Sequence, residues 1–438
     1  MKLTSITEFI ASKRDGQEHS ADEIAAFTAA IVSGEAPDYQ ISAWLMAAYL
    51  RGLSRTEVVA LARAMAASGY QYPLGHFGPH AVDKHSTGGV GDKTSLVVVP
   101  LCAAAGAVVP KMAGRGLGFT GGTIDKLESI PGFQVQLELP RFEEVVTNVG
   151  CAIVAQSPAL APADGILYAL RDATATVESP GLIATSVMSK KLALGCPAIV
   201  IDLKVGRGSF CQDLEQAREL GALLAAIAQA NGRRLTIVYS SMEQPLGSAV
   251  GHALEVLEAA EVLRGAGPED LREHCLAVAS EMILAAQLVP DLPAAKALCR
   301  QVLQEGSGFA KFLSMIGAQG GDAEAVAQGR LPLAQHVRPV LTSDEGYVLS
   351  VDARQVARVL QPLGATRQKK GDPIDLTVGV KLLAKQGEWV KAGEPLALVY
   401  ANTERAALEA ELILRSAYRL SSEACAAAGH SVLCVERF

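Results

Sequence analysis

Apolar and polar positions over residues 1–66 repeat with the period of an α-helix. Ser20 with Glu23, and Ser54 with Glu57, form capping-box patterns that predict the starts of two helices. Between these starts, one helical face carries the apolar side chains Ile41, Trp44, Leu45, Ala48 and Tyr49. The pattern predicts a helical domain over residues 1–70, whose many small residues allow helices to pack closely within the chain or across a dimer.

After Tyr72 the pattern changes to short β-branched runs separated by helical stretches. These runs are Leu96–Val99, Cys151–Ala155, Ala198–Leu203 and Leu235–Tyr239. Such alternation is typical of a parallel sheet with crossover helices. A helical block over Asp164–Gly195 interrupts it. We therefore expect an α/β domain over residues 71–159 and 196–337, with residues 160–195 returning to the helical domain.

From about residue 338 onward, shorter strands and turns predominate. Gln386–Gly393 lies between apolar strands and resembles half of a lipoyl- or biotinyl-type β sandwich. Such carriers present a modified lysine at a hairpin tip, but here the tip is Gly387–Glu388, and Lys391 leads back into a strand. We therefore predict a structural module over residues 338–438. The predicted fold class is α/β, with a helical domain, a larger α/β domain with a central, mostly parallel sheet, and this sandwich-like α+β module.

Composition limits the kinds of partner. A chain of 438 residues with a net charge of −7 is unlike a nucleic-acid binder that works by bulk electrostatics. The eight cysteines are scattered without C-x-x-C pairs or zinc spacing, which favours buried free thiols. Residues 1–16 lack the apolar core of a signal peptide, and no apolar run reaches membrane-spanning length. We expect a cytoplasmic protein that binds neither membrane nor nucleic acid.

Two glycine-rich segments, Lys84–Lys93 and Gly114–Glu128, are the strongest candidates for chemistry. Glycine allows successive backbone N–H groups to point at one anion. Charge and hydroxyl donors stand beside the glycines, namely Lys84, Ser86, Ser95 and Thr123. Either segment alone is better interpreted as a tight turn, and neither is a Walker A loop. Together, with this loading of lysine and hydroxyl groups, they predict an anion site.

The second segment also carries a family resemblance. Gly114–Phe133 resembles the signature of the thymidine and pyrimidine-nucleoside phosphorylases, and Lys84–Asp92 resembles their phosphate loop. Three further segments resemble family motifs in the same order, namely Tyr168–Val177, Ser186–Lys191 and Asp202–Gly208. The resemblance extends from Ala43–Ala48 to Gly371–Ile374, which is nearly the whole chain.

The resemblance implies a homodimeric pyrimidine-nucleoside phosphorylase that pairs through its helical domain. Its reaction is the reversible phosphorolysis of uridine, thymidine and deoxyuridine to a free pyrimidine base and ribose or deoxyribose 1-phosphate. No cofactor is implied, because inorganic phosphate is a co-substrate. The implied phosphate-binding residues are Lys84, Ser86, Ser95, Lys111, Ala113 and Thr123. The implied substrate-binding residues are Leu117, Tyr168, Arg171, Ser186 and Lys190.

Three residues of the resembling motifs are also implied to be catalytic. Arg171 and Lys190 would stabilise the negative charge that grows on the departing base. His85 would face the base and donate a proton or hydrogen bond, a task that suits an ordinary histidine pKa near neutrality. Outside these motifs, a lone histidine is usually structural, an isolated arginine usually forms a surface salt bridge, and a lysine pair is usually solvated.

The chain departs from the family pattern at several positions. Ala113 replaces a serine that usually binds phosphate, and Phe119 replaces a histidine. Residues 364–366 replace a glycine triplet. Some relatives bind a monovalent cation at positions that correspond here to Gly91, Lys93, Leu246, Ala249 and Glu258. Because residue 93 is lysine, we expect its ammonium to pair with Glu258 in place of the cation. We therefore expect no bound metal ion at this position. The plainer alternative is that Lys93 is simply exposed to solvent.

Three alternatives remain open at the level of sequence. A strict thymidine phosphorylase would need a pocket that rejects a 2′-hydroxyl, and no residue decides this point. A phosphoribosyltransferase of the related fold would need an acidic metal-binding pair, for which Asp125 and Glu128 are candidates. A non-catalytic nucleotide-binding or carrier protein is disfavoured by the retained Lys84, Arg171 and Lys190.

Overall fold

The computed structural model describes residues 5–116, 121–367, 372–424 and 431–438. The chain begins with four helices, which are α1 (Ile6–Arg14), α2 (Ala21–Ser33), α3 (Asp38–Arg51) and α4 (Arg55–Ala67). Both predicted capping boxes are present, since Ser20 caps α2 with Glu23 and Ser54 caps α4 with Glu57. On α3 the predicted apolar face is buried at Ile41, Trp44, Leu45 and Ala48.

The middle of the chain alternates strands and helices. Its first part contains β1 (Val82–Ser86), α5 (Thr94–Ala104), β2 (Val109–Ala113), α6 (Thr123–Glu128), α7 (Leu139–Val149), β3 (Cys151–Ala155), α8 (Pro162–Ala173) and α9 (Pro180–Ala193). Its second part contains β4 (Ala198–Val205), α10 (Leu214–Ala230), β5 (Arg234–Ser241), β6 (Ala249–Val250), α11 (His252–Leu263), α12 (Glu269–Ala285), α13 (Leu292–Gln304), α14 (Ser307–Ala318) and α15 (Ala323–Ala327).

The last part contains the remaining strands and two helices. These are β7 (His336–Leu341), β8 (Gly346–Val351), α16 (Ala353–Arg358), β9 (Gly379–Leu382), β10 (Trp389–Val390), β11 (Pro395–Ala401), α17 (Glu404–Ala417), β12 (Tyr418–Ser421) and β13 (Val432–Arg437). Two antiparallel sheets result, with strand orders β10-β8-β12 and β6-β9-β11-β7. β6 comes from the α/β part, so the second sheet joins this module to the site region.

The central sheet has the strand order β1-β4-β5-β13. β1, β4 and β5 are parallel, whereas β13 pairs antiparallel with β5. The parallel pair β2–β3 continues this layer through a bridge between Ala81 and Val108. The predicted mostly parallel sheet is therefore confirmed. Because the carboxyl ends of parallel strands lie at one edge, the loops after β1 and β2 meet there.

Helices α8 and α9 pack against the amino-terminal helices. α8 contacts α2, α3 and α4, and α9 contacts α4. Ala163, Leu167 and Leu182 share one buried cluster with Phe27 and Trp44 of the helical domain. The site residues on α8 and α9 are thus held by the helical layer, while the glycine loops belong to the sheet.

One sequence prediction of a strand was wrong. Leu96–Val99 lies in helix α5, which is buried along nearly its whole length. A short apolar run is ambiguous between a buried strand and a buried helix, and Pro100 lies inside the helix without ending it. The three other predicted runs, which correspond to β3, β4 and β5, are strands.

The described cysteines are all free thiols, six of them buried and Cys434 half-buried; Cys425 lies outside the described residues. Over the described ranges, none of the helices is long and apolar enough to cross a membrane.

Candidate active site

The first glycine loop leaves the carboxyl end of β1 beside β4. Ser86 lies opposite Asp202 in the strand register. Gly88 and Gly91 adopt positive φ angles of 90° and 68°. A side chain at Gly91 would approach the carbonyl oxygen of Leu246 to 2.7 Å. Glycine is therefore required there by conformation and by close backbone contact.

Polar side chains in and beside this loop lie close to one another. The Lys84 ammonium donates to the Ser95 hydroxyl over 3.3 Å, and both residues are buried. The Ser86 hydroxyl donates to the Asp92 carboxylate and accepts from the Gly88 N–H at 3.3 Å. Burial lowers the pKa of Lys84, although Asp92 and Asp202 oppose this effect. Lys84, Ser86 and Ser95 thus lie together, as predicted for an anion site.

The second glycine loop is fastened to the first by Lys126. Its ammonium donates to the Asp92 carbonyl oxygen over 2.6 Å and pairs with Glu255 at 2.7 Å. Thr123 is the first residue of α6, directly after this loop. The predicted pocket residue Leu117 and the departure at Phe119 lie outside the described residues.

The candidate acidic pair for a metal is occupied by arginines. Asp125 accepts from the Gly116 N–H at 2.6 Å and lies 2.8 Å from Arg367. Arg115 bonds to both Asp125 and Glu128. Among the described residues, no group of three His, Cys, Asp or Glu side chains could hold a metal ion. This arrangement disfavours the phosphoribosyltransferase interpretation, which needs that pair for a metal.

The end of β2 adds a second pair of buried lysines. Lys111 donates to the Met112 carbonyl oxygen over 2.6 Å, and Lys191 of α9 lies 2.8 Å from Asp83. Burial and the neighbouring Lys191 hold the pKa of Lys111 well below its usual range. Ala113, where relatives carry serine, is half-buried at the end of this strand.

Helices α8 and α9 supply the other wall. Lys190 donates to the Asp164 carboxylate over 2.5 Å and to the Ser186 hydroxyl over 3.1 Å. Tyr168 follows Asp164 by one helical turn and remains 37% exposed, so that its ring is available to line a pocket. Burial lowers the pKa of Lys190, although Asp164 opposes this effect. Asp164 was not predicted from the sequence. The one signal for it was its position one helical turn before Tyr168.

Arg171 is anchored by the backbone between α8 and α9. Its guanidinium donates to the carbonyl oxygens of Thr176 (3.3 Å), Val177 (2.5 Å) and Leu182 (2.9 Å). Burial lowers the pKa of Arg171 to about 10. Three of its five N–H groups are used in this way, so two remain for a ligand as far as the described residues are concerned.

His85 lies where the sheet and the helical wall meet. The pKa of His85 lies well below its usual value. Burial is the largest cause, and the positive charges of four lysines add to it, namely Lys191, Lys111, Lys190 and Lys84. This result differs from the expected pKa near neutrality, because the sequence does not reveal that the fold brings four lysines near one imidazole. The lowered pKa favours the neutral imidazole in this arrangement.

Lys93 lies at the position where the family resemblance implies a monovalent cation in some relatives. Its ammonium donates to the carbonyl oxygens of Leu246 (3.0 Å) and Ala249 (2.8 Å) and pairs with Glu258. Burial alone would lower the pKa of Lys93, but Glu258 and Glu255 raise it. The plainer alternative, an exposed Lys93, is wrong, because its side chain is fully buried.

Comparison with known proteins places the chain first in a broad class. Residues 7–69 match the model for the helical bundle domain of the glycosyl transferase family, and residues 78–309 match the model for its a/b domain. Residues 347–421 match the pyrimidine nucleoside phosphorylase C-terminal domain. The solved structure of anthranilate phosphoribosyltransferase from Thermus thermophilus has the same fold, with a TM-score of 0.59 and 20% identity. The match covers 71% of this chain and 98% of that one.

Curated relatives narrow the assignment. The chain is 44% identical over 401 residues to the pyrimidine-nucleoside phosphorylase of Geobacillus stearothermophilus, covering 91% of this chain and 93% of that protein. It is also 44% identical over 400 residues to that of Bacillus subtilis (strain 168), covering 91% and 92%. The chain belongs to the pyrimidine-nucleoside phosphorylase family.

Proposed function

We propose that this protein catalyses the reversible phosphorolysis of pyrimidine nucleosides, with uridine, thymidine and deoxyuridine as substrates. The products are the free base and ribose or deoxyribose 1-phosphate. The observation that carries the proposal is the group of lysines near His85, of which Lys84, Lys111 and Lys191 are buried and Lys190 is half-buried, beside two glycine-rich loops. Lysine donors near a histidine and two glycine-rich loops suit a reaction between phosphate and a leaving pyrimidine anion.

Phosphate would bind beside Lys84, Ser86 and Ser95 at the first loop, with Lys111 and Thr123 completing the site. Lys84 has hydrogen-bond donors to spare, since the Ser95 hydroxyl at 3.3 Å is its one close acceptor among the described residues. Ala113 contributes no hydroxyl, so phosphate binding here depends more heavily on charge than in relatives with serine. The buried setting excludes water, which would otherwise compete with phosphate as nucleophile.

The base would lie against Tyr168, Arg171, Ser186 and Lys190. As the glycosidic bond breaks, negative charge grows on the pyrimidine, and the ammonium of Lys190 and the free N–H groups of Arg171 stabilise it. Asp164 keeps the Lys190 side chain directed by a 2.5 Å contact. These donors are fixed before the reaction, so no reorganisation is needed in the transition state.

His85 would contribute a hydrogen bond or a proton to the departing base. Burial and the nearby lysines lower the pKa of His85 in the free protein. A phosphate dianion would offset their field and raise the pKa of His85, because an opposite charge nearby favours the protonated form. His85 would then be protonated, and able to donate a proton to the departing base, only after phosphate has bound.

A base-release assay tests this function directly. Uridine, thymidine, deoxyuridine and cytidine are each incubated with and without phosphate. We expect free base and sugar 1-phosphate from the first three, and only when phosphate is present. No release with phosphate, or equal release without it, would contradict the proposal. A parallel incubation of free base with magnesium and pyrophosphorylated ribose tests the phosphoribosyltransferase alternative.

We further propose a homodimer that pairs through the helical domain. α3 exposes an apolar face, with Tyr39 74% and Leu50 71% accessible and Met46 and Tyr49 beside them. Adjacent exposed apolar residues of this kind favour an interface. Leu50→Glu should shift the mass in solution from dimer to monomer by light scattering. Leu412→Glu, equally exposed on α17, is the matched control and should leave the mass unchanged.

The same proposal includes two simpler expectations. The enzyme needs no cofactor, because phosphate supplies the nucleophile, and activity should therefore survive dialysis against a chelator. The buried free thiols support a reducing, cytoplasmic location.

A further inference from the structure

A buried carboxylate that sequence reasoning left without a role lies behind the phosphate loop. Asp202 of β4 accepts from the Ser240 hydroxyl at Oδ1 over 2.6 Å. Its other oxygen, Oδ2, lies 2.8 Å from the Lys204 ammonium and 3.0 Å from Nε2 of His274. All these side chains are buried. Both oxygens of Asp202 are thus engaged before any ligand arrives.

Lys84 lies near the same carboxylate but is not bonded to it. Its ammonium is 3.7 Å from Oδ2 of Asp202, which is too long for a hydrogen bond but close enough for charge stabilisation. The Asp92 carboxylate, also nearby, is engaged by the Ser86 hydroxyl and the Thr94 N–H. Among the described residues, Lys84 therefore gains counter-charge while only one of its three N–H donors is used, by the Ser95 hydroxyl.

Lys204 is held in turn from several elements. It shares one face of β4 with Asp202, and its Nζ lies 3.0 Å from Nε2 of His274 on α12. Nδ1 of His274 contacts the Ser431 hydroxyl at 3.0 Å. Ser431 directly precedes β13, and its carbonyl oxygen accepts from the Ser241 N–H at 2.6 Å. The end of the chain thus closes the network behind the phosphate loop.

We propose that Lys204 is a positioning residue for phosphate binding: by occupying Asp202, it prevents that carboxylate from capturing Lys84. Without the Lys204 ammonium, Oδ2 of Asp202 would lose its lysine partner and keep only the contact with His274. Lys84 would then move from 3.7 Å into a direct hydrogen bond with this oxygen. An N–H donor of Lys84 that phosphate needs would then be hydrogen-bonded to Asp202 instead. This inference rests on the proposed phosphorolysis.

The test compares three variants by phosphate titration calorimetry and by steady-state kinetics. In Lys204→Met, the phosphate Kd and KM should rise by about tenfold or more, the loss expected for one charge-assisted hydrogen bond. The nucleoside KM should change little. In the double variant Lys204→Met/Asp202→Asn, the neutral amide no longer captures Lys84, so the phosphate Kd should return most of the way toward the wild-type value.

Lys13→Met is the matched control, because Lys13 forms a buried ion pair with Glu57 at 2.7 Å far from the loops. It should lower stability and leave the phosphate Kd unchanged. An unchanged phosphate Kd in Lys204→Met, or a double variant as weak as the single one, would overturn the inference. If Lys204→Met does not fold, Lys204→Leu, which also lacks a hydrogen-bond donor, decides by the same titration and the same criteria. Failure of the wild-type protein to release base would instead contradict the proposed function, while calorimetry still reports on Lys204.

Discussion

Lys84 and Lys93 belong to the same loop region and are both fully buried, yet their ammonium groups have opposite surroundings. Lys93 donates to two backbone carbonyl oxygens and pairs with Glu258. Within the part of the chain that the structure describes, Lys84 has one hydroxyl acceptor at 3.3 Å and a carboxylate at 3.7 Å. An ammonium group has three N–H donors, so Lys93 is saturated and Lys84 is not.

This difference teaches how the same side chain serves two purposes. A saturated buried ammonium links segments of the fold, here the phosphate loop and residues 246–258. An unsaturated buried ammonium is costly unless a ligand completes its hydrogen bonds, which is the condition expected of a binding site. The number of partners, rather than burial or residue type, separates the structural lysine from the ligand-binding one.

Lys93→Met tests the structural role of Lys93, and we expect it to have the largest effect of the variants compared. It leaves the Glu258 carboxylate buried without its cation, which typically costs about 3–5 kcal/mol of folding stability. A fall in the midpoint of chemical unfolding reports this loss. Lys391→Met removes an exposed lysine and should scarcely change the midpoint. Equal midpoints for the two variants would contradict a structural role for Lys93.

Lys190→Ala should affect catalysis more than folding. Loss of one fixed donor to the leaving base typically costs roughly 3–4 kcal/mol of transition-state stabilisation, measured as kcat/KM. Arg171→Ala should show a similar loss, with additional destabilisation because Arg171 also binds three backbone carbonyls. Lys296→Ala, at an exposed position, is the control. Near-wild-type turnover in folded Lys190→Ala would exclude its catalytic role.

Ala113→Ser should strengthen phosphate binding by adding a hydroxyl donor next to the glycine loops. One charge-assisted hydrogen bond to phosphate is worth about 1.5–3 kcal/mol. The phosphate KM should fall, while the nucleoside KM stays nearly constant. A phosphate KM that is unchanged or higher would mean that residue 113 does not face the anion.

The smallest expected effect is that of potassium. The Lys93 ammonium already neutralises Glu258, so a second cation would be repelled. Initial rates in tetramethylammonium buffer should not change when potassium is added. Lys93→Thr replaces the ammonium with a hydroxyl and should make the rate respond to potassium more than to sodium. Clear activation of the unmutated protein would contradict the replacement of a cation by Lys93.

Much of the fold could be predicted because its signals are local. Capping boxes at Ser20 and Ser54 and the buried runs of β3, β4 and β5 all follow from neighbouring residues. The run at Leu96–Val99 was misassigned because a fully buried helix lacks a polar face that would reveal its period.

The site was only partly predictable for a different reason. Its glycine loops are local, but the partners that tune them come from distant segments. Asp164 of α8 accepts a hydrogen bond from Lys190 of α9. Asp202 of β4 provides a counter-charge to Lys84 of the neighbouring strand β1. Charged residues at 202 and 204 in an otherwise apolar strand were the one available signal, since alternation places both on the same face.

Phosphate titration of the wild-type protein and of Lys84→Met by calorimetry tests the central claim most directly. If Lys84 is the unsaturated ammonium that phosphate completes, the wild-type protein should bind phosphate. Lys84→Met should then bind it at least about tenfold more weakly, with little change in its unfolding midpoint. Equal phosphate affinity in the two proteins, with Lys84→Met losing stability instead, would contradict the account by making Lys84 a structural lysine like Lys93.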